Sequence, residues 1–343
     1  MTLSCRVLEE AQEGAWDAFV FAMPEGTFFH RARWREVIAK AFRHPAHYLF
    51  AERDGQISGI MPLVHVKTRL FGSGIVSVPF CVYGGPLAAD AESAAALERE
   101  AARLMERTGA RFCEFRFLHI PANAWAAGPA LYETFRRPLA GSDEANLKAI
   151  PRKQRAVIRK GIANGLAART GRDGDAFFRL YAESVRNLGT PVFPRRYFRL
   201  LLEAFAENAE VLTVEDAGRP LAAVLSFFFR NEVLPYYAGG GIEARGRAGH
   251  EFMYWEVMRR AVASGLDLFD FGRSKVGSGS HAFKKNWGFS PQPLYYRYLL
   301  APGASVPENN PRNPKYRLLI SAWKKLPLPV ANALGPHIVR GLG

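Results

Sequence analysis

The segment from Asp270 to Phe289 holds the residue types that could carry chemistry. Residues 266–271 alternate between apolar and acidic side chains, which is typical of a strand. The loop that follows is rich in glycine, which lets a backbone approach a ligand closely. A strand end, a glycine loop and clustered cations suit a polar or phosphate-bearing substrate. The alternative is that this segment is a basic surface loop, with Trp287 and Phe289 packed in the core as its anchors. The cations are Arg273, Lys275, His281, Lys284 and Lys285.

An internal duplication is the second informative feature. The offset between matching landmarks is 163 residues in one stretch, for Gly26 with Gly189 and for Gly55 with Gly218. Further on the offset is 156 residues, and the step of seven predicts an extra loop, Lys67 to Val76, in the first copy. The matches at this second offset are Pro79-Phe80 with Pro235-Tyr236, Gly84-Gly85 with Gly240-Gly241, and Gly109 with Gly265.

The two copies differ at the residues that could react. At the second offset Glu114 corresponds to Asp270, but no glycine loop follows the first strand. Gly128 stands at the position that corresponds to Lys284. We therefore expect the second half to hold the reaction centre, while the first half recognises substrate or acts as a scaffold.

Periodicity predicts the same order of elements in both halves. The predicted helices are 14–22, 31–42, 92–107, 175–188, 195–207 and 250–264. The predicted strands are 47–53, 56–66, 75–83, 110–118, 210–216, 220–230, 233–239 and 266–271.

Composition sets the outer limits. A chain of 343 residues, 48% hydrophobic, can bury two cores. Its net charge of +14 favours anionic partners such as nucleic acid, a membrane surface or a phosphorylated substrate. Three unclustered cysteines offer no metal-ligand spacing and fit a reducing compartment. Acidic residues near the N-terminus replace the apolar run of a signal peptide, so we expect a cytoplasmic protein.

Two further basic segments are candidates for anion binding. Residues 151–160 place cations at helical spacing between the halves, and Arg152 and Arg155 are predicted to hold substrate phosphates; the alternative is a solvated helix face. The loop 244–249 precedes a helix N-terminus, where backbone N–H groups favour an anion. Its Arg245, Arg247 and Gly249 are therefore candidates for binding an acyl donor.

These residues together resemble a known family. The chain is similar to FemAB-type proteins of the GNAT-like acyltransferase superfamily, and in particular to FemAB-related proteins of PEP-CTERM/exosortase systems. The resemblance covers roughly residues 10–300. Its motifs are Thr27-Phe28-Phe29-His30 with Trp34, Gly59-Ile60-Met61-Pro62-Leu63, Ser77-Val78-Pro79-Phe80, Tyr83-Gly84-Gly85, Leu188-Gly189-Thr190-Pro191-Val192-Phe193, Tyr236-Tyr237-Ala238-Gly239, Asp270-Phe271-Gly272-Arg273-Ser274, and Phe283-Lys284 with Trp287-Gly288.

The resemblance implies a mixed α/β (α+β) fold of two tandem GNAT-like domains. Residues 1–145 would form a degenerate domain and residues 146–300 the catalytic domain, followed by a basic, proline-containing tail at 301–343. The family's Phe-Lys pair corresponds to Phe283 and Lys284, and the lysine of that pair lies at the acyl-transfer centre. The motifs add candidate substrate contacts at Ser274, Tyr237, Gly239, Trp287 and Trp34.

The implied chemistry is attack of an amine on an ester or thioester carbonyl. A positioned cation stabilises the oxyanion that forms. Lys284 could supply it or neutralise donor phosphate, and Asp270 could accept a proton or orient Arg273. An ion pair of Asp270 with Arg273 that only pins the loop is the structural alternative. The sequence shows no Ser-His-Asp or Cys-His arrangement, which favours direct transfer without a covalent intermediate.

Three functions stay open at this point. The first is acyl or aminoacyl transfer to an amine of a cell-envelope or exopolysaccharide-related precursor. The second is CoA-dependent N-acylation of a small molecule or sugar, and the third is non-catalytic binding of a precursor or nucleic acid. The donor, aminoacyl-tRNA or acyl-CoA, is not expected to stay tightly bound.

The tail suggests a further partner. Residues 315–340 combine apolar and aromatic side chains with flanking cations, which suits peripheral contact with an anionic inner membrane. A lipid-linked acceptor would be found at that membrane; the acceptor could also be another anionic small molecule. Pro327 and Pro329 are expected to end the first helix of this segment early. The alternative is that the tail packs back on the catalytic domain.

Overall fold

A computed structural model describes residues 3–68, 72–121, 125–307 and 314–343. The strands are β1 (Leu3–Val7), β2 (Ala46–Arg53), β3 (Gln56–Thr68), β4 (Gly72–Ser77), β5 (Leu87–Ala88), β6 (Phe112–Phe117), β7 (Ala126–Ala127), β8 (Tyr132–Pro138), β9 (Ala167–Gly171), β10 (Ala209–Asp216), β11 (Arg219–Phe229), β12 (Glu232–Gly240), β13 (Leu268–Asp270), β14 (Ser274–Lys275), β15 (Pro291–Pro293) and β16 (Tyr295–Leu300).

The α-helices alternate with these strands. They are α1 (Glu13–Ala22), α2 (Trp34–Phe42), α3 (Ala91–Thr108), α4 (Asp143–Ala149), α5 (Arg152–Ala163), α6 (Gly174–Leu188), α7 (Arg195–Ala204), α8 (Ile242–Gly246), α9 (Gly249–Ala263), α10 (Gly279–Asn286), α11 (Pro314–Lys325) and α12 (Leu328–Val339). The chain divides into two compact units, which we call the first unit (1–130, 294–310 and 337–343) and the second unit (131–293 and 311–336).

The first unit is built on a mostly antiparallel sheet of order β1-β2-β3-β4-β6-β16-β7, with β5 paired to β3. Helix α3 packs on β1, β2 and β3 because its Leu97, Ala101 and Leu104 recur on one face and are buried. The Asp90 carboxylate caps this helix by accepting a hydrogen bond from the Ser93 N–H at 2.8 Å.

The second unit repeats this plan with the order β14-β8-β13-β12-β11-β10-β9, and β15 pairs with β8. Helix α9 packs on β10, β11 and β12, while α6 covers β12 and β11. The core between α9, α5 and the sheet is rich in aromatic residues, including Phe252, Trp255, Phe269, Phe271 and Trp287.

Each unit contains one strand that comes from the other half of the sequence. Strand β8, which follows β6 in the chain, pairs with β13 in the second unit, where Asp270 faces Arg136. Strand β16, which follows β13, pairs with β6 in the first unit, where Tyr298 faces Glu114. The ranges 1–145 and 146–300 predicted from the duplication remain a prediction, and the compact units do not follow those limits because each contains a strand from the other half.

The duplication itself is visible in the sheets. In the first unit β4 runs parallel to β6 and β6 antiparallel to β16. In the second unit β12 runs parallel to β13 and β13 antiparallel to β8. Strands β6 and β13 therefore occupy equivalent places, as the constant offsets predicted.

Most of the elements expected from periodicity are present, but several differences appear. The predicted strand 75–83 stops at Ser77, where Val78 (φ 43°) and Phe80 (φ 70°) take left-handed conformations that end a strand. The predicted extra loop from Lys67 to Val76 largely continues the β3–β4 hairpin, and its residues 69–71 lie outside the described residues. The elements that the sequence pattern did not predict include helices α4 and α10 and strands β1, β8, β9 and β16.

Among the described residues, no helix combines the length and apolar character that crossing a bilayer requires.

Candidate functional site

The two central parallel strands of the second unit separate after a short pairing. Strands β12 and β13 pair only at Glu232 with Leu268 and at Val233 with Phe269. Strand β12 then continues to Gly240 along β11, whereas β13 ends at Asp270 and enters the glycine loop. The two strands thus diverge beyond this short pairing, and we take the place where they diverge as the candidate binding position.

The equivalent place in the first unit is filled by its own chain. The Gly85 N–H donates to the Arg116 carbonyl of β6 at 3.0 Å, and His30 Nε2 contacts the Gly85 carbonyl at 2.8 Å. In the second unit the counterpart of Gly85, Gly241, donates instead to Leu221 of β11 at 3.0 Å. This difference favours the second unit as the location of the reaction centre.

Lys284 lies beside the end of β13. The hydroxyl of Ser278 begins helix α10 by accepting a hydrogen bond from the His281 N–H, and Lys284 follows on the helix as a buried residue. Its Nζ donates to the carbonyls of Gly272 at 2.9 Å and Arg273 at 3.1 Å. The glycine loop therefore holds the lysine through backbone groups rather than through a carboxylate.

The surroundings of Lys284 disfavour its charge. Burial lowers the pKa of Lys284 to about 7, while the nearby Asp270 carboxylate opposes this shift and the Arg273 cation adds to it. The Nζ lies 5.5 Å from the ring centroid of Phe135 and 5.9 Å from that of Phe271, so part of its stabilisation as a cation comes from ring faces. Lys284 can thus exchange a proton near neutral pH.

Asp270 is completely buried and belongs to a cluster of three charges. Its carboxylate accepts the Gly272 N–H at 2.7 Å and pairs with Arg136 Nε of β8 at 3.2 Å. Arg136 also pairs with Glu232 at the start of β12. Burial, and then repulsion from Asp270, raise the pKa of Glu232 to about 7, although Arg136 opposes both effects. One arginine thus links the two strands where they part.

Four other predicted residues lie near this cluster. The Arg273 guanidinium stacks over the Tyr132 ring at 4.7 Å. Ser274 is buried, and among the described residues its hydroxyl has no hydrogen-bond partner. Phe283 and Trp287 belong to the aromatic core against which α10 packs. The structure therefore brings Arg273, Ser274, Phe283 and Trp287 together with Lys284 and Asp270.

Tyr237 and Gly239 lie on the other strand, β12. The Tyr237 hydroxyl is 2.9 Å from that of Tyr197 in an aromatic cluster with Tyr181 and Phe193. Gly239 allows α6 to pack closely, since an added Cβ would lie 2.5 Å from Tyr181 Cα. Both residues therefore help to pack strand β12 against the neighbouring helices α6 and α7.

The remaining predicted residues are not brought to this cluster. Trp34 lies in the core of the first unit, completely buried, with its Nε1 donating to the Phe28 carbonyl at 3.1 Å. Arg152 is exposed in the first turn of α5, and Arg155 donates to the Lys148 carbonyl at 3.1 Å. Roles for these residues remain predictions.

The proposed donor loop lies between β12 and α9. Arg245 is exposed on the short helix α8, whereas Arg247 pairs with Asp216 at 2.7 Å. Gly249 begins α9 as a buried residue, and an added Cβ would lie 3.2 Å from the Ala244 carbonyl. Arg247 and Gly249 of this loop thus already contact other residues of the second unit.

The alignment of Gly128 with Lys284 is wrong. Gly128 follows β7 and donates its N–H to the Tyr296 carbonyl at 2.9 Å, whereas Lys284 lies on a helix. Helix α10 follows β14, and β7 holds the equivalent edge position in the first unit. The described residues between β6 and β8 form no helix, so α10 has no counterpart in the described part of the first unit. The duplication therefore explains the sheets but not the helix that carries the lysine.

Sequence reasoning missed the charged residues of β8. Glu133 Oε2 lies 2.6 Å from His281 Nε2, and Arg136 pairs with Asp270. The run from Tyr132 to Phe135 contains aromatic and β-branched residues that are typical of a strand, which was the available signal. Glu232 immediately precedes the predicted strand 233–239, and nothing in the sequence indicated it as a partner of Arg136.

Residues 147–285 match the family model described as an acetyltransferase (GNAT) domain. No curated protein matches the sequence well enough to be a relative. The chain is similar in structure to FemX, with a TM-score of 0.65 and 16% identity over 86% of this chain and 97% of that chain.

Two further solved structures are similar. The C-terminal domain (DUF2156) of a putative lysylphosphatidylglycerol synthetase from Agrobacterium fabrum has a TM-score of 0.56 and 14% identity, over 84% of this chain and 91% of that chain. A tandem GNAT protein from the clavulanic acid biosynthesis pathway has a TM-score of 0.54 and 12% identity, over 89% of this chain and all of that chain, 100%. Sequence identities this low establish only the fold. The fold consists of two tandem GNAT-like domains.

Proposed function

We propose that this chain transfers an acyl or aminoacyl group directly to an amine of a cell-envelope or exopolysaccharide-related precursor. The observation that carries the proposal is Lys284, a buried lysine held by the Gly272 and Arg273 carbonyls where β12 and β13 separate. The match of residues 147–285 to an acetyltransferase domain supports the same reaction class. Assignment to FemAB-related proteins of PEP-CTERM/exosortase systems belongs to this proposal and rests on the sequence motifs.

The chemistry follows from that placement. The amine nitrogen attacks the donor carbonyl carbon, and negative charge develops on the carbonyl oxygen. The Lys284 ammonium would stabilise this charge more strongly than an ammonium group in water, because Lys284 is buried and water is excluded. Arg273 and the hydroxyl of Ser274 border the same loop and would orient the donor.

An aminoacyl-tRNA is the donor that we favour. The loop that would hold the phosphates of acyl-CoA is largely engaged, since Arg247 pairs with Asp216 and Gly249 packs against Ala244. FemX and the putative lysylphosphatidylglycerol synthetase share the fold. Acyl-CoA is the second candidate because Arg245 is exposed at the same helix N-terminus and a tandem GNAT protein also shares the fold.

Mass spectrometry distinguishes these donors. Purified protein is incubated with isolated lipid-linked envelope precursors, with amino sugars and with either mixed aminoacyl-tRNAs or acetyl-CoA. We expect an amino-acid mass shift on an amine-bearing acceptor with aminoacyl-tRNA. An acetyl shift alone would transfer the proposal to the CoA-dependent enzyme. Saturable binding without any product, unchanged in Lys284→Ala, would instead support a non-catalytic binding module.

Contact with a membrane is part of the same proposal. Helix α11 packs on the end of α6, where Arg186 Nη1 donates to the Lys324 carbonyl at 3.3 Å. Apolar side chains nevertheless remain exposed on both tail helices: Leu319 is 65%, Val330 41% and Leu334 48% exposed. Lys324 and Lys325 are exposed beside them. Apolar area flanked by lysines suits an anionic bilayer surface.

Substitutions test this contact better than truncation. Val339 is buried and His44 contacts the Arg340 carbonyl at 2.7 Å, so removing the tail would damage the first unit. We expect the triple variant Leu319→Glu, Val330→Glu, Leu334→Glu to lose co-sedimentation with phosphatidylglycerol vesicles, at unchanged circular dichroism. Ile120→Glu, at a position 68% exposed in the first unit, is the matched control. Equal sedimentation of the two variants would contradict the membrane assignment.

A further inference from the structure

We propose that His281, oriented by Glu133, accepts the proton that the attacking amine releases. The inference rests on the proposed acyl transfer and adds the base that such a reaction requires. Transfer to an amine must remove one N–H proton for each amide formed, and a positioned imidazole is the side chain most often used for that step.

The two side chains form a defined pair. His281 Nε2 lies 2.6 Å from Glu133 Oε2, a distance that identifies a strong hydrogen bond. This bond places the ring proton on Nε2 and leaves Nδ1 with its lone pair. Among the described residues no side chain or backbone group bonds Nδ1, so the free nitrogen can accept a proton from a bound amine.

His281 and Lys284 converge on one ring. They are three residues apart on α10, which places them on the same helix face. The His281 ring lies 5.3 Å from the Phe135 ring centroid in an edge contact, and Lys284 Nζ lies 5.5 Å from that same centroid. A carbonyl oxygen near Lys284 and an amine near His281 would thus lie within one small region.

Rigid elements hold the pair in place. The Ser278 hydroxyl accepts the His281 backbone N–H at 3.2 Å, and Glu133 lies on β8, paired with both β14 and β15. Fixed supports of this kind are what a general base needs for its geometry. The pair also reaches solvent, since the side chains of His281 and Glu133 are 12% and 25% exposed.

The buried carboxylates are less suited to this role. Asp270 is completely buried and pairs with Arg136, and Glu232 pairs with the same arginine. A substrate amine would have to displace Arg136 to reach either group. In the part of the chain that the structure describes, no cation pairs with His281, and its side chain lies closer to the surface.

The proposed step balances as follows. The amine nitrogen bonds to the donor carbonyl carbon, and one of its protons passes to His281 Nδ1. The tetrahedral intermediate collapses, the bond from that carbon to the ester oxygen or thioester sulfur breaks, and His281 returns the proton to the leaving oxygen or sulfur. Glu133 stabilises the imidazolium, while it exists, through its hydrogen bond with Nε2.

Chemical rescue tests the assignment. Transfer is followed with mixed aminoacyl-tRNAs and with acetyl-CoA as donors, and with hydroxylamine and isolated lipid-linked precursors as acceptors. We expect His281→Gly to lower kcat about 100-fold. Added imidazole should raise the kcat of this variant to at least about a tenth of the wild-type value. Glu133→Gln should lower kcat about tenfold with little change in KM. His119→Gly, at an exposed histidine of the first unit, is the control.

Each outcome has one meaning. Wild-type kcat in both His281→Gly and Glu133→Gln would overturn the inference while leaving the proposed function intact. A loss that imidazole does not restore, together with a Glu133→Gln variant whose KM rather than kcat changes, would also overturn it. Absence of transfer by the wild-type protein with every donor would overturn the proposed function and this inference with it.

Discussion

Replacing Lys284 by methionine is expected to lower kcat by about 10²–10³-fold while the protein stays folded. The loss follows because the ammonium is the cation placed to meet the developing oxyanion, held by the Gly272 and Arg273 carbonyls. Methionine fits the site because Phe135 and Phe271 already surround the Nζ. Steady-state transfer assays with the donor identified by mass spectrometry measure the effect.

Lys285→Met is the matched control. Lys285 is the next residue on α10 and is exposed, so its substitution should change kcat by less than about twofold. A folded Lys284→Met protein with the kcat of this control would show that the lysine is not at the reaction centre.

The pH dependence gives an independent check on Lys284. Its pKa is lowered to about 7, so the ammonium form is lost as pH rises through neutrality. If the ammonium stabilises the oxyanion, kcat should begin to fall above about pH 7, and the residual activity of Lys284→Met should lack that fall. A wild-type kcat that instead rises through this window in step with lysine deprotonation would identify the neutral amine as the active form.

Arg136→Met is expected to produce the largest loss of stability, about 3–5 kcal/mol of the free energy of unfolding. Arg136 is the cation that pairs with both Asp270 and Glu232, and its removal leaves two buried carboxylates without that partner. Urea denaturation at neutral pH measures the loss. The loss should shrink as the pH falls below about 7, because Glu232, whose pKa is raised to about 7, is then protonated and needs no cation.

Arg169→Met provides the comparison. Arg169 also pairs with a carboxylate, Glu215, at 3.0 Å, but its side chain is 76% exposed. Exposed pairs contribute about 0–1 kcal/mol, so this variant should stay near wild-type stability. Similar losses for the two variants would mean that the cluster around Asp270 contributes no more than a surface ion pair.

Local patterns predicted the parts of the site that lie close together in the chain. Asp270, Arg273, Ser274 and Lys284 fall within one short stretch, and the structure brings them together around the end of β13. The helix that carries Lys284 was missed because Gly277 and Gly279 read as a loop, although Ser278 is a typical N-cap. Composition alone cannot separate a glycine-rich loop from a capped helix start.

Distant partners could not be found in this way. Arg136 precedes Asp270 by 134 residues, and Glu133 precedes His281 by 148, as the pairing of β8 requires. Their proximity depends on strand β8 joining the sheet of the second unit, which neither periodicity nor duplication indicates. The error over Gly128 has a related cause, because constant offsets hold for the repeated strands and fail where one copy has gained α10.

The exchange of β8 and β16 has a consequence for how the chain is made. Strand β6 of the first unit receives its partner β16 only after residue 300 has been synthesised, and Tyr298 bonds to Glu114 across 184 residues. The first unit therefore cannot complete its sheet as an independent early product of translation. The second unit has β8 from its beginning and its last strand, β15, precedes β16 in the chain, so the second unit can complete its sheet before the first unit does.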